Sequence, residues 1–211
     1  MNIDSIREEY KYAALNKSHL KQNPFKQFEI WLNEAIGAKI QYPTAMSFSC
    51  ISISGFPESR IVLLKFFDEE GFVFFTNYNS NKAQAVEKNP VAGLHFFWPD
   101  LERQVRIAGR TTKTSAKISD EYFKSRPAKS RIAAWASEQS AEISTRKYLE
   151  KQFEKYHKKF EGREIPRPDF WGGFVVKPIR MEFWQGRESR LHDRMVYAKE
   201  NDEWIIKRLA P

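Results

Sequence analysis

Residues 190–194 read Arg190-Leu-His192-Asp-Arg194, two fixed cations flanking a titratable imidazole. They follow Met181-Glu-Phe-Trp184-Gln-Gly186, an aromatic run with the composition of a strand. If the backbone stays extended through both, alternate side chains share a face, and Arg190, His192 and Arg194 project together. Such a face makes a poor core and suits an anion. The bland alternative is a solvated edge strand whose charges discourage edge-to-edge pairing. Spacing alone does not choose between them.

Other stretches carry the same chemistry more weakly. In Ser125-Arg126-Pro127-Ala-Lys129-Ser130-Arg131, Pro127 breaks a helix and Ser130 can cap the next. Arginine, hydroxyl and helix N-terminus together make a phosphate cradle, although taken alone a basic interhelix loop is the stronger reading. Thr76-Asn77-Tyr78-Asn79-Ser80-Asn81-Lys82 runs into a helix start and could also receive a phosphate. In Arg103-Gln104-Val105-Arg106, Gln104 offers a heterocycle both donor and acceptor. Together these signals suggest a ligand with two phosphates, or two phosphorylated ligands. The four histidines, His19, His95, His157 and His192, are far apart, so no metal site is expected. His157 reads as exposed and His95 as a packed or hydrogen-bonded strand residue. There is no G-x-G fingerprint, P-loop, H-E-x-x-H, C-x-x-C or G-x-S-x-G.

Composition limits the partners. Lys+Arg of 35 against Asp+Glu of 27 gives +8 over 211 residues, which favours anions. Seventeen Phe and six Trp imply a packed core rather than a basic tail. The single Cys50 excludes an internal disulfide. No apolar run approaches membrane-spanning length and the N-terminus lacks an apolar signal core, so a soluble cytoplasmic setting with no membrane partner is expected.

These residues must be held by the elements around them. Residues 4–20 are polar and read as a helix. Asn23-Pro24 opens a clearer one, carrying Phe25, Phe28, Trp31, Leu32, Ala35 and Ile36 at helical spacing, with Gly37 as its stop. From Ala45 the period becomes two, predicting strands at 45–50, 59–67, 72–76, 91–98 and 101–114, with a short helix near 82–88. Short helices follow at 122–125 and 132–137, then a longer one at 144–160 with the stripe Leu149, Phe153, Tyr156 and Phe160. Strands return at 171–176, 180–185, 194–199 and 204–209. Hairpins at both ends with helices between predict one domain, a closed antiparallel barrel with peripheral helices.

Arg60-Ile-Val-Leu-Leu-Lys65, Phe74-Phe-Thr76-Asn77, Leu101-Glu-Arg-Gln104-Val105 and Tyr122-Phe-x-Ser-Arg126-Pro127 occur in order with Gln139-Ser140 and Phe170-Trp-Gly-Gly173. Glu182-Phe-Trp184-Gln-Gly186, Arg190-Leu-His192-Asp-Arg194 and Arg208-Leu-Ala-Pro211 complete the series. The pattern resembles the pyridoxine/pyridoxamine 5′-phosphate oxidases from about Ile6 to Pro211. That resemblance implies a mainly β split antiparallel barrel, a homodimer with FMN between its subunits. It implies Arg60, Lys65, Phe75, Thr76, Lys82, Gln104, Gln139, Ser140, Trp184 and Arg194 at the flavin. Lys65, Tyr122, Arg126 and Ser130 would hold the substrate phosphate, Arg190 and His192 would lie over the pyridine as the catalytic pair, and Arg7 and Tyr10 would form a lid. One departure stands out. The family usually has Ser-Arg-Lys where this chain has Ser80-Asn81-Lys82, the loss of a charge-assisted contact worth about 1.5–3 kcal/mol.

The expectation is therefore FMN-dependent oxidation of pyridoxamine or pyridoxine 5′-phosphate by molecular oxygen, giving pyridoxal 5′-phosphate and hydrogen peroxide. Two alternatives stay open: a split-barrel flavoprotein with another substrate, and a basic nucleic-acid-binding barrel. The separated cation clusters argue against the second.

Overall fold

The computed structural model describes residues 14–211, so Arg7, Tyr10 and most of the helix expected over 4–20 lie outside the described residues. Of the described part of that segment, residues 14–20, Lys17–His19 forms one 3-10 turn. Helix α1 spans Pro24–Gly37, and the Asn23 side chain accepts the N–H groups of Phe25 at 2.8 Å and Lys26 at 3.4 Å. Gly37 is the last helical residue and not the stop. Ala38 closes the helix, and Lys39 takes the positive φ of 57°.

A sheet of nine strands follows. Strands β1 (Ala45–Ile51), β2 (Pro57–Leu63), β3 (Phe66–Asp68) and β4 (Gly71–Asn77) precede α2 (Asn81–Lys88), β5 (Val91–Trp98) and β6 (Arg103–Lys113). Helices α3 (Ala116–Ser125), α4 (Ala128–Ala136) and α5 (Arg146–Lys159) lead to β7 (Trp171–Gln185), β8 (Asp193–Glu200) and β9 (Glu203–Leu209). The order is β2-β1-β5-β6-β7-β4-β3, with β8 beside β7 and β9 beside β8, every pairing antiparallel. The outer members of that path, β2 and β3, are consecutive in the chain, and Lys65 between them donates its N–H to the Val73 carbonyl at 2.9 Å. The sheet thus curls into a half-barrel whose two end strands are joined through Leu64-Lys65 with no ladder between them, the split form of the barrel rather than the closed one the hairpins predict.

Several boundaries differ from the sequence reading. The strand expected over 59–67 breaks at Leu64-Lys65, where the chain crosses from one end of the sheet to the other. β7 runs unbroken through Pro178, where the sequence predicts two strands. The register slips opposite Ala108 and Gly109 at that point, so proline's missing N–H leaves no gap in the ladder. Gly109 permits the close approach, since a Cβ there would stand 2.3 Å from the Lys177 carbonyl oxygen. The α3 and α4 helices are longer than the pieces expected, α3 because Ser115 caps it by accepting the Ile118 N–H.

α1 fills the barrel. Fully buried Phe28 meets Phe67, Phe72 and Phe96 at centroid distances of 4.9, 5.0 and 4.9 Å, and Trp31 meets Phe183 edge-on at 5.2 Å. Each such ring contributes about 1.5–3 kcal/mol by leaving water. A second cluster of Phe123, Ile132, Ile165 and Trp171 joins the helices to the start of β7, and half-buried Phe153, Tyr156 and Phe160 of the α5 stripe lean on it. Among the described residues no helix is long and apolar enough to cross a membrane.

Candidate active site

A cleft of about 890 Å³ opens between the β2–β3 break, the end of β4, the start of α2 and the α3–α4 corner. Arg60, Lys65, Phe75, Thr76 and Lys82 reach it from the first three. Tyr122, Arg126 and Ser130 line it from α3, the corner and α4, and Gln139 and Ser140 from the loop after α4. These ten sequence-predicted residues, spread over eighty positions, are brought together by the break at Lys65 and by the helices inserted before β7.

The α2 end is polar and cationic. Lys82 Nζ donates to Gln139 Oε1 at 2.9 Å and to the Thr76 and Ser80 hydroxyls at 3.2 Å each. Burial, with Arg60 nearby, lowers the Lys82 ammonium pKa to about 8. All three acceptors are neutral, so among the described residues the charge has no counterion. Asn81 adds a backbone N–H, donated to the Ser140 hydroxyl at 3.3 Å. Arg60 is braced by Glu58 at 2.6 Å and by the buried Cys50 sulfur at 3.2 Å.

The corner end is cationic for a different reason. The Arg126 guanidinium lies 4.6 Å from the Trp171 ring centre and 5.6 Å from that of Phe123. Its Nη1 is buried with no hydrogen-bond partner among the described residues, and burial lowers its pKa. A desolvated donor without an acceptor is costly, and an incoming anion removes that cost. Phe75 stacks on Tyr122 at 4.0 Å beside it, with Lys65 Nζ 5.9 Å above the Tyr122 ring. Ser130 lies in this corner but does not cap α4. The helix begins at Ala128 behind Pro127, so Ser130 is already inside its first turn and its N–H bonds the Pro127 carbonyl.

The remaining expected residues lie elsewhere, on or beside the sheet. Gln104, Trp184 and Arg194 stand side by side across β6, β7 and β8. Gln104 Oε1 is 3.0 Å from His95 Nε2, the hydrogen-bonded strand histidine expected. His192 leans on Trp184 with ring centres 4.7 Å apart, and its Nδ1 accepts the Arg187 N–H at 3.1 Å. Burial first, and then the Arg190 charge, lowers the His192 pKa. The extended run through 190–194 does not form. Arg190 ends a 3-10 turn over Glu188–Arg190 with φ 59°, after Ser189 at φ 54°, and β8 starts only at Asp193. The Leu191 N–H to the Glu188 carbonyl and the Arg187–His192 bond curl the segment, so Arg190 leaves the strand face that carries Arg194.

Sequence reasoning passed over Trp171, which backs Arg126, and Glu182, whose side chain is only 1% exposed beneath Arg180 and Arg194. Trp171 had a signal in its aromatic run. Glu182 opened one motif of the family pattern, but an isolated acid on a strand reads as solvated and drew no role.

Residues 32–160 match the family described as pyridoxamine 5′-phosphate oxidase, and residues 171–211 match the pyridoxine 5′-phosphate oxidase C-terminal dimerisation region. The chain belongs to the pyridoxamine 5′-phosphate oxidase family. It is 53% identical over 211 residues to the pyridoxine/pyridoxamine 5′-phosphate oxidase of Teredinibacter turnerae and 52% identical to that of Haemophilus influenzae, covering all of both chains in each case. PhzG from Burkholderia lata, solved with tetrahydrophenazine-1-carboxylic acid, superposes with a TM-score of 0.89 at 24% identity, covering 95% of this chain and 99% of its own. A pyridoxamine 5′-phosphate oxidase-related, FMN-binding protein from Nostoc punctiforme gives 0.71 at 16%, covering 91% and 100%. At those identities the likeness speaks for the fold, and the fold is the family's split barrel.

Proposed function

We propose that the chain oxidises pyridoxamine 5′-phosphate or pyridoxine 5′-phosphate to pyridoxal 5′-phosphate, using FMN, with molecular oxygen as acceptor and hydrogen peroxide as by-product. One observation carries the reading. A single cleft has two cationic ends built from different elements, Lys82 with Arg60 at one and, at the other, Arg126, whose buried Nη1 has no acceptor among the described residues. That arrangement suits two phosphorylated ligands side by side, and it places the cations in a pocket where a nucleic-acid-binding barrel would spread them over a surface.

FMN fits the α2 end. Lys82 and Arg60 supply charge, the Asn81 N–H and the Thr76 and Ser140 hydroxyls supply hydrogen bonds, and the neutral acceptors now on Lys82 are readily exchanged for a phosphate. Asn81 adds no charge, so Lys82 and Arg60 are the cations of this end. When bound, FMN supplies the two-electron acceptor for a hydride from the substrate carbon that bears the amine or hydroxyl.

The protein's part is position. Arg126, with Ser130 and Tyr122, fixes the substrate phosphate, and the Phe75–Tyr122–Trp171 stack walls the cleft from water. His192, whose Nδ1 accepts the Arg187 N–H and whose ring leans on Trp184, is held in a fixed orientation to meet the substrate ring. It orients and does not act as a strong base. Arg190 clamps the ring beside it.

Gln104, Trp184, Arg190, His192 and Arg194 lie outside the cleft of their own chain, on a side of the molecule that also exposes Phe97 and Leu191. A homodimer, in which one subunit's sheet face closes the other's cleft, unites the two groups. Purified protein should be yellow, sediment as a dimer and release peroxide with pyridoxamine 5′-phosphate. A colourless monomer that produces none sinks the reading.

A further inference from the structure

Glu182 projects from β7 on the same face as Arg180 and Trp184, with Arg106 directly opposite on β6. Its carboxylate receives Arg180 Nη2 at 2.8 Å and both Nε and Nη2 of Arg194 at 2.9 Å, with Arg106 Nη1 at 3.8 Å. One carboxylate thus sits under three guanidinium groups, and two positive charges stay uncompensated. Burial disfavours its ionised form, but the Arg180 and Arg194 hydrogen bonds outweigh that and hold its pKa below the usual range.

The contacts constrain Arg194 closely. The Nε/Nη2 edge of its guanidinium is spent on Glu182, and Nη1 donates to the Ala210 carbonyl at 2.9 Å. Of five N–H donors, three are engaged among the described residues, leaving one on each terminal nitrogen. The plane of the fork is fixed and a pair of donors is left for a ligand.

We propose that Glu182 is a positioning residue for the cofactor: it orients Arg194 so that the two remaining N–H groups meet acceptors of the flavin, and it acts on binding only through Arg194. The inference rests on the reading of Arg194 as a flavin residue. Charge and position pull in opposite directions here. Removing a carboxylate beside an anion site strengthens binding if charge alone matters, and weakens it if Glu182 aims the fork.

The test is the dissociation constant of FMN with apoprotein, read by quenching of flavin fluorescence, alongside sedimentation and a thermal melt. Glu182→Gln should stay dimeric and bind FMN about tenfold more weakly. The double variant Glu182→Gln with Arg194→Lys should bind no worse than Arg194→Lys alone, a non-additivity that a merely structural role does not produce. Should Glu182→Gln fail to fold, Glu182→Asp keeps the charge but withdraws it by one methylene, and the same weakening and non-additivity are expected. Unchanged or tighter FMN binding in a folded Glu182 variant overturns the proposal, as does an additive double variant. Wild-type protein that binds no FMN instead overturns the cofactor reading beneath it.

Discussion

The guanidinium of Arg126 rests 4.6 Å from the indole of Trp171 while its Nη1 is buried with no acceptor among the described residues. The two facts belong together. A cation–π contact holds the group in place yet occupies none of its N–H donors, so the donors stay available.

Arg126→Ala should therefore lower kcat/KM for the phosphorylated substrate by about 2–4 kcal/mol, mainly through KM, because a substrate phosphate then enters a partly desolvated corner unpaired. FMN content should hold, since Lys82 and Arg60 serve the other end. Trp171→Leu should act in the same direction by about 0.5–2 kcal/mol. Steady-state kinetics with flavin absorbance decide it, and loss of FMN with normal KM would mean that the two phosphate ends are assigned the wrong way round.

Lys82 gives a pH signature. Its folded-state pKa is lowered to about 8, so it carries its charge below that value and loses it above. FMN affinity of the apoprotein should fall as pH rises from 7 to 9, and Lys82→Arg, charged throughout, should flatten the dependence. Titrations at three pH values check this. Equal slopes for both proteins would remove Lys82 from the phosphate site.

Arg190 and Arg194 share a charge but differ in setting, one in a left-handed turn and the other clamped on β8. Arg190→Lys should stay yellow and lose substrate affinity or turnover. Arg194→Lys should release FMN more readily and recover part of its activity in excess cofactor, because lysine cannot reproduce a planar fork. If the two variants behave alike in both assays, the distinction drawn from their surroundings is void.

Acid stability follows from two carboxylates, Glu182 buried and Asp193 half-buried. For Asp193, burial opposes ionisation, but the Leu15 N–H and the Arg208 and Arg187 side chains outweigh it and lower the pKa, as Arg180 and Arg194 do for Glu182. A depressed folded-state pKa contributes stability that is present above the unfolded value, near 4, and lost as pH falls through the folded one. Urea midpoints should drop between pH 7 and pH 3 for the wild type, and less steeply for Asp193→Asn. Parallel curves would show that this carboxylate does not govern the acid limb.

Local signals read well from sequence. The cap at Asn23 and the alternation of 91–98 depend on neighbours a few residues away; α1 starts where that cap predicts and β5 has the expected bounds. What failed depends on distant partners. Pro178 reads as a strand end because its ladder bond is missing, and the register shift beside it, with Ile179 as the extra residue opposite Ala108 and Gly109 of another strand, makes it tolerable. Arg190 reads as strand because neither it nor Ser189 announces a positive φ. Ten site residues converge as the family pattern implies, whereas Glu182 is visible only once three arginines from β6, β7 and β8 fold over it.

The length of β7 has a kinetic consequence. Its first half pairs with β4, about a hundred residues earlier, while its second half pairs with the adjacent β8. The β8–β9 hairpin and helices α3–α5 can form locally, but the barrel cannot close until β7 finds β4 across the whole helical insertion. Such distant pairing makes for slow folding, with a transition state that must already hold β4 against β7. Refolding should therefore slow markedly for changes at Phe74 or Phe174, whose buried rings meet at 5.9 Å across that pair, while changes on α5 speed unfolding instead. The strand that carries residues of both site groups is then also the one whose long-range pairing sets the folding rate.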